Sequence, residues 1–192
     1  MPMTTQPPAL ADLRDRARRV RLACFDVDGT LTDGRLVYDA AGGESKAFHV
    51  HDGQGLVLLR RAGIEVALVT ARTSPIVERR ASELGVRACS GIGDKLACVE
   101  KMATTLGISL DEVAFMGDDL PDLKVMRRVG LSACPSDAHD WIKRDAAWTS
   151  QRDGGRGAAR EFCDFLLDAQ DRVEPIIDAL LADAPAPLGA QA

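Results

Sequence analysis

The sequence predicts an α/β protein, a buried parallel β-sheet with helices packed on it. Two observations carry this. Short apolar runs of strand length alternate with stretches of helical pattern, as in successive βαβ units. Polar clusters able to do chemistry directly follow three of those runs. In open parallel sheets, ligands bind in the same place, beyond the carboxyl ends of the strands.

In chain order, residues 1–8 are rich in Pro and Thr and read as loose, and 9–19 can form a short helix, so 1–19 form an N-terminal extension. The first strand is "VRLACF" (20–25). Residues 35–50 break the rhythm: two strand-like pieces flank "AAGGE" and predict a projecting β-hairpin. Helix 54–62 leads to strand 64–69, helix 75–84 to strand 86–89, and helix 95–106 to strand 112–116. Helix 121–128, strand 130–134, helix 138–144 and helix 158–169 complete a single domain over 20–170. Residues 171–192 open on an amphipathic piece, "VEPIIDALL", and end in "ADAPAPLGAQA", which reads as a flexible tail.

Composition narrows the function classes. The net charge of −5 argues against nucleic acid or an anionic membrane as the main partner. Five cysteines, odd in number and scattered, read as reduced core thiols in a cytoplasm. Neither an apolar signal core nor a run of about 18 apolar residues occurs, so a soluble cytoplasmic protein is expected.

The chemistry gathers at three strand ends. Asp26 and Asp28 follow 20–25, Thr70 and Arg72 follow 64–69, and Asp118 and Asp119, with Asp122 beyond, follow 112–116; Lys95 opens helix 95–106. Carboxylates brought together this way repel each other unless a cation joins them. Oxygen donors without Cys or His suit a hard ion such as Mg²⁺. Thr70 and Lys95 supply a donor and a positive charge for phosphoryl oxygens. An aspartate at a strand end can attack phosphorus, and a second acid can move the proton. Asp26 and Asp28, two residues apart, fit that division, with Gly29 allowing the turn. Each piece alone has a plainer reading: a surface turn for "DVDG", a strand-end cap for Thr70, a solvated helix residue for Lys95, a helix N-cap for "GDD". A calcium loop fails, because Gly29 is fourth and Val37 twelfth where that loop needs Gly sixth and Glu twelfth. The joint order, each piece at a strand end, favours the chemical reading. His49 and His139 read as structural histidines, and Trp141 and Trp148 as packing residues.

"FDVDGTLTDG", "VTAR", Lys95 and "GDDLPD" resemble the four motifs of the haloacid dehalogenase-like phosphohydrolases. The resemblance implies a Rossmann-like, doubly wound sheet, Mg²⁺ dependence and an aspartyl-phosphate intermediate. It makes Asp26 the nucleophile and Asp28 the general acid/base. Asp26, Asp118 and the Asp28 backbone carbonyl become metal ligands, and Thr70 and Lys95 bind phosphate. Forty-one residues separate Asp28 from Thr70 and 24 separate Thr70 from Lys95, which leaves no room for a cap domain. The hairpin, "KAFHVHDGQG" and "GGRGAAREFCDFLL" further resemble the capless 3-deoxy-D-manno-octulosonate 8-phosphate phosphatase family of lipopolysaccharide biosynthesis. That likeness implies a homotetramer assembled through the hairpin, with a neighbouring subunit completing each site. It implies substrate contacts at Asp28, His49, Val50, His51, Asp52, Gly53, Thr70, Arg72, Arg80, Lys95, Asp119 and Arg156. His51 and Val57 stand where relatives often carry Arg, and Ala71 replaces a common Gly. A phosphatase for nine-carbon sugar acid 9-phosphates is the alternative within the same chemistry. A receiver-like phosphoacceptor module is the alternative outside it, although its acidic pair and acceptor Asp come in the reverse order.

Overall fold

The computed structural model describes residues 8–182. The loose segment expected at the start and the tail beyond 182 lie outside the described residues. Strand β1 (Leu22–Phe25) is followed by a hairpin of β2 (Val37–Tyr38) and β3 (Glu44–Ser45), then by β4 (Glu65–Val69), β5 (Arg87–Cys89), β6 (Val113–Met116), β7 (Leu131–Cys134) and β8 (Trp148–Thr149). Six of these form one sheet in the order β5-β4-β1-β6-β7-β8, every pair parallel. The chain winds outward from β1 through β4 to β5, then crosses to β6 on the other side. The switch point therefore falls at the carboxyl end of β1, where such sheets bind ligands.

Alternation along the central strands builds two cores. Ala23 and Phe25 of β1 face one layer, which holds α1 (Leu10–Arg19), α2 (Val50–Arg61), α3 (Pro75–Leu84) and α7 (Ala158–Ala169). Leu22 and Cys24 face the other, which holds α4 (Lys95–Leu106), α5 (Leu120–Met126) and α6 (Asp140–Asp145). Both faces of the sheet are thus covered, which explains strands that read as continuous apolar runs.

Several boundaries differ from the sequence reading. Helix α2 begins at Val50, four residues early, because the His49 side chain accepts a hydrogen bond from the His51 amide and caps it. Two glycines in its first half, each costly to a helix, hide that start in the sequence. Strand β8 has no expected counterpart: at two residues it is too short to show a periodicity, and it exists because Trp148 packs against Phe162 and Phe165 of α7. Trp148 is the packing residue expected, whereas Trp141 is 52% exposed. The amphipathic piece after 170 is a helix, α8 (Val173–Ala182). The expected N-terminal extension carries core: Leu13 and Ala17 of α1 are buried, and the Gln170 amide donates to the Ala17 and Val20 carbonyls, both at 2.9 Å. All five cysteines are free. No helix among the described residues is long and apolar enough to cross a membrane.

The loop before α7 fixes the turn after β1. The Gly155 amide donates to the Thr30 carbonyl at 3.0 Å, and a Cβ on Gly154 would collide with the Gly29 carbonyl. Because backbone, not a flexible side chain, fills that space, Gly154→Ala is expected to cost about 1–3 kcal/mol, read as a lower urea midpoint with an unchanged slope.

Candidate active site

Asp26 sits one residue past β1, tied to β6 by its amide, which donates to the Met116 carbonyl at 2.9 Å. Its carboxylate is buried beside those of Asp118 and Asp122, one oxygen of each lying within 4.8 Å of the others. Lys95, the first residue of α4, is also buried, and its ammonium donates to Asp26 Oδ1 and Asp122 Oδ1, each at 2.6 Å. Asp122 is a positioning group: its Oδ2 accepts from the Asp118 and Asp119 amides at 3.1 and 3.4 Å and closes the first turn of α5. The sequence shows Asp122 beside the motif without revealing that role.

Three acids and one lysine leave this cluster short of positive charge. Burial first, and then Asp122, push the Asp26 carboxyl up to about 6 against the pull of Lys95. Burial, Asp26 and Asp122 push Asp118 up to about 8. Burial opposes the charge on Lys95, yet Asp26 and Asp122 outweigh it and hold the ammonium above its ordinary range. Such a donor set fits a hard divalent cation, whose charge lets all the carboxylates ionise together. The backbone leaves space here: Gly29 has φ +94°, and a Cβ on it would strike the Asp118 carboxylate. Thr30 Oγ1 donates to Asp118 Oδ1 at 3.1 Å and aims it.

Asp28 points elsewhere. Its Oδ1 pairs with the Lys46 ammonium of the hairpin, and its Oδ2 lies 3.9 Å from Arg72 Nε. Its carboxylate is therefore not part of the acid cluster. Thr70 is buried at the end of β4, and its hydroxyl accepts from the Arg72 amide at 3.2 Å. Arg72 also donates to Glu44 Oε1 at 3.0 Å and to the Tyr38 hydroxyl at 3.3 Å. Glu44 and Lys46 were not among the expected site residues. Their spacing of two in an extended segment is the signal available for them.

The remaining expected residues divide. Asp52 is buried with its carboxylate engaged by the Gly157 amide at 3.2 Å and the Arg160 amide at 2.8 Å, so it caps α7. Asp119 is exposed and accepts from the Leu120 amide at 2.8 Å; it is the N-cap of α5. Gly53 is buried inside α2, and Val50 points to solvent. Arg80 lies over the Phe48 ring, 5.8 Å from its centroid, and lines a small pocket with His49 and Asp52. Phe48, at the end of the segment expected to form the hairpin, is partly buried against the core of its own chain. His49, His51 and Arg156 border an open cavity of ≈ 650 Å³ together with Arg152 and Arg160.

Sheet, switch point and acid cluster together define a haloacid dehalogenase-like hydrolase. Residues 90–161 match that family of hydrolases. The chain is 41% identical over 172 residues to the 3-deoxy-D-manno-octulosonate 8-phosphate phosphatase of Yersinia pestis, covering 89% of this chain and 92% of that one. Among solved structures, a hypothetical protein from Xanthomonas campestris is 54% identical with a TM-score of 0.88, over 93% of this chain and 98% of that one. The phosphatase of the same name from Moraxella catarrhalis, in complex with magnesium ion, phosphate ion and KDO, is 37% identical with a TM-score of 0.87, over 90% and 99% of the two chains. The chain belongs to the 3-deoxy-D-manno-octulosonate 8-phosphate phosphatase family and is a phosphoric monoester hydrolase.

The acid cluster makes metal-free protein sensitive to pH in a defined direction. Asp118 holds its proton up to about pH 8 when folded but releases it near the ordinary carboxylate value, 3.8, when unfolded. Between those values the folded chain binds more protons, so stability falls as pH rises. Chelator-treated protein is expected to lose thermal stability from pH 6 to 8. Divalent ion should restore it, and Asp118→Asn should flatten the slope.

Proposed function

We propose that this chain hydrolyses 3-deoxy-D-manno-octulosonate 8-phosphate to the free sugar acid and phosphate, with Mg²⁺ as its metal, in the cytoplasm as part of lipopolysaccharide biosynthesis. The observation that carries the reading is the divergence of two carboxylates two residues apart. Asp26 lies among acids and a buried lysine, while Asp28 lies under the hairpin beside Arg72.

Asp26 attacks phosphorus and forms an aspartyl phosphate as the sugar oxygen departs. Lys95 holds Asp26 Oδ1, which leaves Oδ2 for the attack, and its charge faces the transferring group. Asp28 delivers a proton to the departing oxygen, then takes one from the water that cleaves the aspartyl phosphate, so the carboxyl ends as it began. The Thr70 hydroxyl donates to a phosphoryl oxygen. Asp118, aimed by Thr30, and Asp26 would hold the metal with the Asp28 carbonyl. When bound, Mg²⁺ supplies the charge that neutralises the carboxylates and the phosphoryl oxygens. Arg72, and Arg80 and Arg156 at the rim, suit the carboxylate and hydroxyls of a sugar acid.

A homotetramer built through the hairpin belongs to this reading. Leu36, Val37 and Tyr38 are 48%, 54% and 57% exposed on a hairpin of two-residue strands and the residue before them, and an apolar hairpin this short needs a partner surface. Light scattering at micromolar concentration is expected to give four times the chain mass; a monomer would contradict it.

Phosphate release from the octulosonate 8-phosphate should depend on Mg²⁺ and exceed that from a nine-carbon sugar acid 9-phosphate. The reverse preference would overturn the substrate while keeping the chemistry. Asp26→Asn and Asp28→Asn should each lower turnover by about 10²-fold or more with an unchanged circular dichroism spectrum. Near-normal turnover in folded Asp26→Asn would sink the mechanism.

A further inference from the structure

The hairpin reaches back onto its own chain at a place where two polar atoms are buried and unmatched. Asp28 Oδ2 and Arg72 Nε are both buried without a hydrogen-bond partner, and they face each other at 3.9 Å. A buried acceptor and a buried donor side by side can both serve a single oxygen, and a native structure rarely keeps such a pair without a use.

Two hairpin side chains hold that pair. Lys46, its side chain only 1% exposed, engages Asp28 Oδ1, which leaves Oδ2 as the oxygen facing Arg72. Glu44 takes the Lys46 ammonium at 3.2 Å and Arg72 Nη2 at 3.0 Å, so it ties the two together. Tyr38, also on the hairpin, braces Arg72 through its hydroxyl. Glu44 in β3 and Lys46 just past its end pair with each other, so one short stretch of the hairpin holds both Asp28 and Arg72.

We propose that Lys46 and Glu44 are positioning residues for the leaving-group step, holding Asp28 and Arg72 side by side to meet the oxygen departing from phosphorus. This rests on the assignment of Asp28 as proton donor. In the step, the P–O bond to the sugar breaks, its electron pair goes to the departing oxygen, and the proton comes from Asp28 Oδ2. Neither Lys46 nor Glu44 gains or loses a proton.

A leaving group that needs no proton needs no aligned donor. The test compares 4-nitrophenyl phosphate, whose leaving group departs as a stable anion, with an alkyl phosphate such as the octulosonate ester, using wild type, Lys46→Met, Lys46→Arg, Glu44→Gln and Asp28→Asn. Lys46→Met is expected to lose about 10²-fold in kcat on the alkyl ester, within the usual span of acid catalysis, and less than about threefold on the aryl ester. Lys46→Arg should recover most of the alkyl activity. Glu44→Gln, which keeps size and folding, should show the same selective loss in milder form. Equal losses on both esters in Lys46→Met and Glu44→Gln, or no loss on either, would overturn the proposal. If Asp28→Asn shows the selective loss and the hairpin variants do not, the proposal alone fails. If Asp28→Asn shows none, the proton-donor assignment fails with it.

Discussion

The organising constraint is electrostatic. Asp26, Asp118 and Asp122 are gathered at one sheet edge with a single buried ammonium, Lys95, among them. Burial raises the cost of each charge, and each carboxylate raises it for the others. A fold tolerates this only where the backbone enforces it. Here the enforcement is direct: Asp26 is locked to β6 through its amide, and Asp122 is held by two backbone amides. The deficit of positive charge is the binding energy reserved for a cation and, with it, a phosphoryl group.

The site has two halves built by different parts of the fold. The phosphate half belongs to the sheet and to α4 and α5, elements of the rigid core. On the proposed mechanism, the leaving-group half belongs to the hairpin and Arg72, where the strands are two residues long and their outer side chains face solvent. Attack on phosphorus would then be fixed by the part of the chain least able to change, and departure of the sugar by the part most easily altered. Without a cap domain, the hairpin is the element of this chain that shields the acid from the open side.

How much of this was legible in the sequence follows from what kind of signal each feature leaves. Five of the six sheet strands were visible because buried parallel strands are runs of apolar residues. The motif residues were visible because each directly follows such a run, and Asp26, Thr70, Lys95 and Asp118 stand at strand or helix ends as expected. Strand β8 was invisible, since its reason is one indole against two phenyl rings far along the chain. Asp52 and Asp119 also satisfy helix amides, a role that spacing alone does not reveal. Glu44 and Lys46 read as ordinary charged residues of a turn because their partners are 28 and 18 residues away.

The docking of α1 on α7 has a consequence for how the chain comes to be folded. Strand β1, at the middle of the sheet, is made first, yet its neighbours β4 and β6 come some 40 and 90 residues later. Helix α1, immediately before it, finds its seat only when Gln170 and Asp168 emerge. During synthesis the opening segment therefore waits, with Leu13, Ala17 and the whole of β1 unpaired, until nearly the last core helix has left the ribosome. Long waits with exposed apolar strands are where chains associate wrongly. The arginines of α1, pairing locally with Asp12 and Asp15, keep that waiting segment charged and apart from its neighbours.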